Sequence, residues 1–199
     1  MSRRLSTAVL LGGLIALLAA AAAWIGVRSA PSSGVDLGGP FALVDQNGRP
    51  FTDRDLRGKP AAVFFGFTYC PEVCPTTLAR QTAALKALGG DADKLRVVFV
   101  TVDPERDTLA QMKTYLSDFD RRIVGLSGAP DAVARMLAAY HVYAKKVPLE
   151  GGGYTMDHMA ATYLFDRRGG FQGLIPYADP PAAELAKLRN LANGRPPSA

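Results

Sequence analysis

Hydrophobic positions divide the chain into two parts. From Leu5 to Val27 no charged residue occurs, and Leu and Ala dominate. A helix rises 1.5 Å per residue, so roughly 20 residues cross a ~30 Å hydrocarbon core, and this run is long enough. Ala30 to Pro40 is rich in Ser, Gly and Pro, the composition of a flexible linker. Beyond it, short apolar runs alternate with helical patterns.

Phe41–Val44 and Arg49–Thr52 flank Asp45-Gln46-Asn47-Gly48, and the Asn-Gly step predicts a hairpin turn. Asp53–Leu56 suits one helical turn. Ala61–Phe67 is apolar on both faces, the pattern of a strand buried in a mostly parallel sheet. Leu78, Leu85 and Leu88 predict a helix from Pro75 to Leu88, stopped by Gly89-Gly90. Arg96–Val102 and Ile123–Leu126 predict strands. Helices are expected over Thr108–Phe119 and, capped by Asp131, through Ala139. His141–Lys146 is expected to be extended, and Gly151–Gly153 to form a loose turn. Thr162–Phe165 and Phe171–Pro176 predict a hairpin around Asp166–Gly170, and Ala182–Leu191 a final helix. Strands alternating with helices mean an α/β domain. A buried strand leading to a helix start, then a late hairpin and a last helix, is a thioredoxin-like layout. The expected organisation is a membrane anchor or signal peptide over 1–28, a flexible linker over 29–40, one domain over 41–192 and a disordered tail over 193–199.

Charge sharpens the first part. Arg3 and Arg4 precede the apolar run and only Arg28 follows closely. That asymmetry keeps the N-terminus in the cytoplasm. The expected placement is therefore single-pass in the inner (cytoplasmic) membrane, with the C-terminal domain on the periplasmic, outer face. Ala21-Ala22-Ala23 offers a competing signal-peptide cleavage site, but the run exceeds the usual core of about 7–15 residues, which favours an uncleaved anchor. No cysteine follows the run, which excludes an N-terminal lipoprotein anchor. The net charge of +5 owes three arginines to this region; without them 20 basic residues face 18 acidic ones. The domain has no basic footprint for nucleic acid.

Candidate chemistry centres on Cys70 and Cys74, the only two cysteines. A disulfide closing so short a ring stabilises by roughly 2 kcal/mol, against more than about 4 for a long loop, so architecture explains the pair poorly. It is a soft ligand set, a redox-active dithiol, or both. Pro75 suits the first helical position, which places Cys74 at or beside the N-cap and predicts a lowered thiol pKa. The Pro71-Glu72-Val73 spacer is one residue longer than in a C-x-x-C redox site, leaving the sulfurs free to spread around Cu(I), zinc or iron–sulfur iron. In an exported domain adjacent thiols oxidise unless ligated or reduced, so a maintained dithiol implies an exported thiol reductant.

Two sulfurs call for a third ligand. His141 lies among residues that look like packing; His158 lies in a predicted loop at a strand entrance, and spacing alone leaves its role open. Met156 and Met159 fit apolar packing. Asp103, Glu105 and Asp107 fit a strand-end turn, with Asp107 or Thr108 capping the next helix. Gly151–Gly153 lacks the context of a phosphate loop, and Thr68 is misplaced for a peroxiredoxin pattern.

Four stretches then occur in a recognisable order: Gly66–Pro75, Val102–Thr108, Val124–Gly128, and Asp157-His158 with Tyr163-Leu164. Over about residues 40 to 192 the chain resembles the Sco (SenC) family, copper chaperones of cytochrome c oxidase assembly. The resemblance implies a thioredoxin-like copper-binding domain, with Cu(I) or Cu(II) held by Cys70, Cys74 and His158. It implies a copper donor protein upstream and delivery to the CuA subunit of cytochrome c oxidase. Asp157 is a candidate to hold the second ring nitrogen of His158, or to cap a turn. The alternative is a thiol–disulfide oxidoreductase that uses Cys70 and Cys74 to reduce the CuA-site cysteines; the disulfide form of the pair cannot hold copper. Two positions depart from the family pattern: Glu72 where Asp is usual, and Tyr69 where His is frequent. Neither removes a ligand.

Overall fold

The computed structural model describes residues 37–197. The expected anchor and most of the expected linker lie outside the described residues. Among the described residues no helix is long and apolar enough to cross a membrane.

The core is a seven-stranded sheet. Its strands are β1 (Ala42–Asp45), β2 (Pro50–Thr52), β3 (Ala61–Gly66), β4 (Arg96–Thr101), β5 (Ile123–Ser127), β8 (Ala161–Phe165) and β9 (Phe171–Pro176), in the order β2-β1-β5-β4-β3-β8-β9. β3, β4 and β5 are parallel, and β8 runs antiparallel beside β3. Every residue of β3 is buried, as its two-sided apolar run requires. Alternation sends Phe64 to one face, 6.0 Å from the Phe99 ring, and Phe65 to the other, 5.8 Å from Tyr140 and 5.3 Å from Tyr163. Helices α1 (Val73–Leu88), α2 (Leu109–Leu116), α3 (Pro130–Ala139) and α4 (Pro181–Ala192) complete the α/β domain. α4 packs on α1, where Arg80 meets the buried Glu184 at 2.9 Å. Residues 193–197 follow α4, and Gly194 and Arg195 return their N–H groups to the Leu191 and Asn190 carbonyls.

The first hairpin forms where Asn-Gly placed it: the Asp45 carboxylate accepts the N–H groups of Asn47 and Arg49 at 2.8 and 2.9 Å. α1 stops at Leu88 with Gly89 as its cap, as expected. Its start differs. Glu72 is the N-cap, and Thr76 N–H already reaches the Glu72 carbonyl at 3.1 Å. Pro75 therefore stands third in the helix, where its missing N–H still costs nothing, and Cys74 lies inside the first turn. Asp131 is likewise not a cap: Pro130 opens α3 after Ala129, and Asp131 pairs with Arg135 at 2.6 Å. α2 is shorter than expected; Thr108 caps it by accepting the Gln111 N–H, and the chain turns out at Ser117.

The largest difference lies between α3 and β8. His141 is not extended; it takes φ 52° in the turn after α3. Extension begins at Ala144. β6 (Ala144–Pro148) and β7 (Tyr154–His158) form a separate two-stranded ribbon, so His158 ends a strand rather than sitting in a loop.

Candidate metal centre

The site lies beyond the carboxyl end of β3. Thr68, just past the strand, is held by Asp107: its hydroxyl donates to the carboxylate at 2.7 Å and its N–H at 3.1 Å. Thr101, ending β4, donates at 2.6 Å to Oδ2, which also accepts the Thr68 N–H, and Ser127, ending β5, donates to the Asp107 carbonyl at 3.0 Å. One buried carboxylate thus fixes the exit of the sheet. Burial raises its pKa, and the three donors oppose that rise.

From this anchor the chain turns through Cys70 into α1. Cys74 is fully buried and Cys70 half-buried; both are free thiols. The Cys74 N–H points at Cys70 Sγ from 3.4 Å. The amide of the first helical turn therefore serves Cys70, not Cys74. The Cys70 thiol is lowered to about 3, first by the Cys74 thiol donating to it, then by His158 and by the Cys74 and Glu72 N–H groups, with burial opposing. Cys74 is pushed up, as the donor to Cys70 and by its own burial. The sequence expected the lowered thiol at Cys74; in the structure the Cys74 thiol donates to Cys70, and the Cys74 N–H points there too, so the lowering falls on Cys70.

β7 carries His158 over the pair. Its Nε2 lies 3.6 Å from Cys74 Sγ, and its ring meets Phe64 and Phe67 edge-on at 6.3 and 5.7 Å. Nδ1 faces the Met159 carbonyl at 3.2 Å. A carbonyl only accepts, so Nδ1 donates there, and Nε2 is the ring nitrogen turned toward the sulfurs. The orienting role offered to Asp157 falls to this carbonyl. Strand alternation turns Asp157 outward, where its carboxylate accepts the Tyr143 hydroxyl at 3.2 Å.

The ligand atoms of Cys70, Cys74 and His158 all lie within 4.8 Å of one another. Two sulfurs and one imidazole nitrogen at that spacing suit a soft, low-coordinate cation such as Cu(I). Beside them opens a groove of about 320 Å³, lined by Cys70, Glu72, Val73, Met156 and His158. Met156 packs on the core edge, and Met159 accepts the Tyr163 hydroxyl on its sulfur at 3.0 Å. His141 is exposed at the end of α3, outside the cluster. Asp103, Glu105 and Asp107 are spent on Arg106, Lys146 and the threonines, as a turn rather than a hard-metal site.

Among the described residues, the exposed large apolar side chains are Tyr69, Tyr143, Val147, Leu149 and Met159, all on the Cys70 loop, the ribbon and its edges. Sequence reasoning did not single out Arg106 and Tyr154, which meet beside the site. The only signal for them was an arginine between two acids at the end of an apolar strand.

The model of the family described as SCO1/SenC matches residues 29–193. The chain belongs to the SCO1/SenC family. It is similar to SCO1 homolog 1 of Arabidopsis thaliana, a mitochondrial protein, at 37% identity over 142 residues, 70% of this chain and 42% of that protein. The chain spans about half the length of the mitochondrial relatives it matches, from 42% to 53%. Among Sco structures, Bradyrhizobium japonicum ScoI with copper bound superposes with a TM-score of 0.73 at 51% identity, covering 78% of this chain and 99% of that one. BsSco, described as a member of the Sco family of cytochrome c oxidase assembly proteins, matches at a TM-score of 0.65 and 21% identity over 81% of this chain and 96% of that one, which bears on the fold alone.

The ionisation of Cys70 has a measurable consequence. A lowered pKa keeps the thiolate as the reacting form at every pH above it. Alkylation of Cys70 by iodoacetamide in the metal-free, full-length protein is therefore expected to change by less than about threefold between about pH 5 and pH 8. An ordinary thiol, of pKa about 8.5, loses roughly tenfold per unit over that window. Peptide mass spectrometry of time points checks it, and a tenfold-per-unit fall at Cys70 would return the low pKa to Cys74 or to neither.

Proposed function

We propose that this chain is a copper metallochaperone that holds one copper ion through Cys70, Cys74 and His158 and delivers it to the CuA centre of cytochrome c oxidase. The observation that carries the reading is the convergence of three soft or borderline donors, from a loop, a helix and a strand, within 4.8 Å. The similarity to a Sco protein with copper bound supports the metal, and the family resemblance supports the recipient. Copper is cargo here. Cys74 is the buried partner, Cys70 the accessible thiolate where an incoming ligand exchanges first, and His158 the third donor. The open groove beside Cys70 and the exposed Tyr69 and Met159 leave room for an acceptor protein to approach. Residues 1–28 would hold the domain at the cytoplasmic membrane, on the periplasmic side, within reach of the CuA subunit, a copper donor protein and a thiol reductant.

A second reading, thiol–disulfide reduction of the CuA cysteines, is favoured by the half-exposed Cys70 thiolate beside a buried second thiol. In that chemistry Cys70 sulfur attacks a target disulfide and Cys74 resolves the mixed disulfide. The target leaves with two thiols, the Cys70–Cys74 disulfide remains, and an exported dithiol must reduce it again.

The test is transfer. Full-length protein carrying one Cu(I) is mixed anaerobically with the reduced, metal-free CuA subunit. Copper is then measured on both proteins after separation, and the CuA optical spectrum is recorded after completion with Cu(II). Copper leaving this chain for the subunit is expected. Copper retained by this chain, with the subunit reduced and empty, would contradict delivery.

A further inference from the structure

The ribbon that carries His158 is an appendage. β6 and β7 pair with each other and with no strand of the main sheet. At its His158 end it rests on Phe64 and Phe67. At its other end, four residues and about 13 Å away along an extended strand, an arginine grips it. Arg106 donates through Nη1 to the Tyr154 carbonyl at 2.8 Å, and its guanidinium carbon lies 3.8 Å from the centre of the Tyr154 ring. Through Nε it meets Asp103 at 2.5 Å, a fully buried carboxylate that also accepts the Tyr154 hydroxyl at 2.8 Å. The same guanidinium lies 4.9 Å from the ring of Tyr69, next to Cys70. Its neighbours in the loop extend the grip: Glu105 pairs with Lys146 of β6 at 2.6 Å, and Asp107 holds Thr68.

We infer that Arg106 is a positioning residue for the metal centre, a clamp that sets the distance between the Cys70–Cys74 loop and the His158 ribbon. The inference rests on the three-ligand reading above and goes beyond it, since Arg106 touches none of the ligand atoms. Its planar fork does three things at once: it neutralises Asp103, donates to the Tyr154 backbone and lies over the Tyr154 ring, with the Tyr69 ring 4.9 Å away. A lysine keeps the charge over Asp103 but has neither the fork nor the flat face. Without the guanidinium the Tyr154 end keeps only the exposed Lys146–Glu105 pair and a hydroxyl contact to an Asp103 that has lost its cation, and the His158 nitrogen is held less firmly at its distance from the sulfurs. Partners that orient a ligand without touching the metal typically carry about 10–100-fold of its affinity.

The test compares the full-length parent with Arg106→Lys, which keeps a cation over the buried carboxylate, and with Arg106→Ala. Hydrogen exchange is read first, without copper. In Arg106→Lys the β6–β7 amides are expected to exchange about tenfold faster while those of β3 and β4 stay within about twofold. Cu(I) affinity, read by competition with a chromophoric chelator, is expected to fall about tenfold, and further in Arg106→Ala if that variant folds. Parental ribbon exchange in Arg106→Lys overturns the inference. So does faster exchange spread equally over β3 and β4, which makes Arg106 a general stabiliser, and so does a loosened ribbon with parental Cu(I) affinity. His158→Ala in parallel separates the failures: if its affinity is parental, the ligand reading fails, whereas the exchange result stands independently of copper.

Discussion

Replacing His158 by Ala is expected to lower Cu(I) affinity by at least about a hundredfold and to leave thiol–disulfide exchange by Cys70 and Cys74 within about threefold of the parent. The first figure follows from position. Groups that merely orient a ligand cost up to about a hundredfold when removed, and the Nε2 atom, 3.6 Å from Cys74 Sγ, is in ligand position itself. The second follows from the order of causes at Cys70. The Cys74 thiol contributes most to its low pKa, with His158 behind it, so the thiolate persists at neutral pH without the imidazole. The fold should survive as well. The ring is half-buried and meets Phe64 and Phe67 edge-on, contacts worth about 0.5–1.5 kcal/mol each. Chelator competition and exchange with a model disulfide read the two quantities on one sample. Loss of both would place His158 in the redox chemistry rather than in metal binding alone; loss of neither would remove it from the site.

Gly66→Ala should damage both stability and the site. A Cβ there would lie 2.8 Å from Cys74 Sγ and 2.8 Å from Phe99 Cε2, with Phe64 Cε1 at 3.2 Å. The backbone of Gly66 is ordinary strand, so the objection is purely steric. Overpacking of this kind costs about 1–3 kcal/mol, which in a domain of this size lowers Tm by roughly 2–4 °C per kcal/mol. Relief requires Phe99 or the buried sulfur to move. Cys74 sits in the first helical turn, where it can shift more easily than a ring locked in the sheet. Copper affinity should therefore fall about tenfold, a small displacement from a ligand position costing as much as a lost orienting group. Gly90→Ala is the control, since a Cβ at that position meets nothing within 4 Å. Thermal unfolding and copper competition on both variants check the pair. Parental behaviour of Gly66→Ala would mean that the close approach of β3 to Cys74 is not needed.

Much of this arrangement is visible in the residues alone. Ala61–Phe67 shows its burial on both faces because a central strand needs no polar side, and Asn47-Gly48 shows its turn because the chemistry of that turn is local. Family-order motifs brought Cys70, Cys74 and His158 together, although 84 residues separate the second and third. The ribbon stayed hidden for a physical reason. Tyr154–His158 is half-exposed and pairs only with β6, so it lacks the apolar run that marks a sheet strand. The lowered thiol was expected at Cys74 because Pro75 is tolerated anywhere in a first helical turn; that Cys74 is the buried donor and Cys70 the acceptor depends on packing that the spacing does not show. Asp157 was offered to its neighbour in sequence, yet adjacent residues of a strand face opposite ways. Arg106 was invisible to spacing, since its partners Tyr69 and Tyr154 lie far from it in the chain and are brought close only by the fold.

The three-ligand centre is tested most directly by X-ray absorption at the copper edge, on the full-length protein carrying one Cu(I), beside His158→Ala. Two sulfur neighbours and one nitrogen, with the outer-shell scattering of an imidazole ring that disappears in the variant, is the expected result. A parent spectrum of sulfur alone, or imidazole scattering that survives the loss of His158, would contradict it.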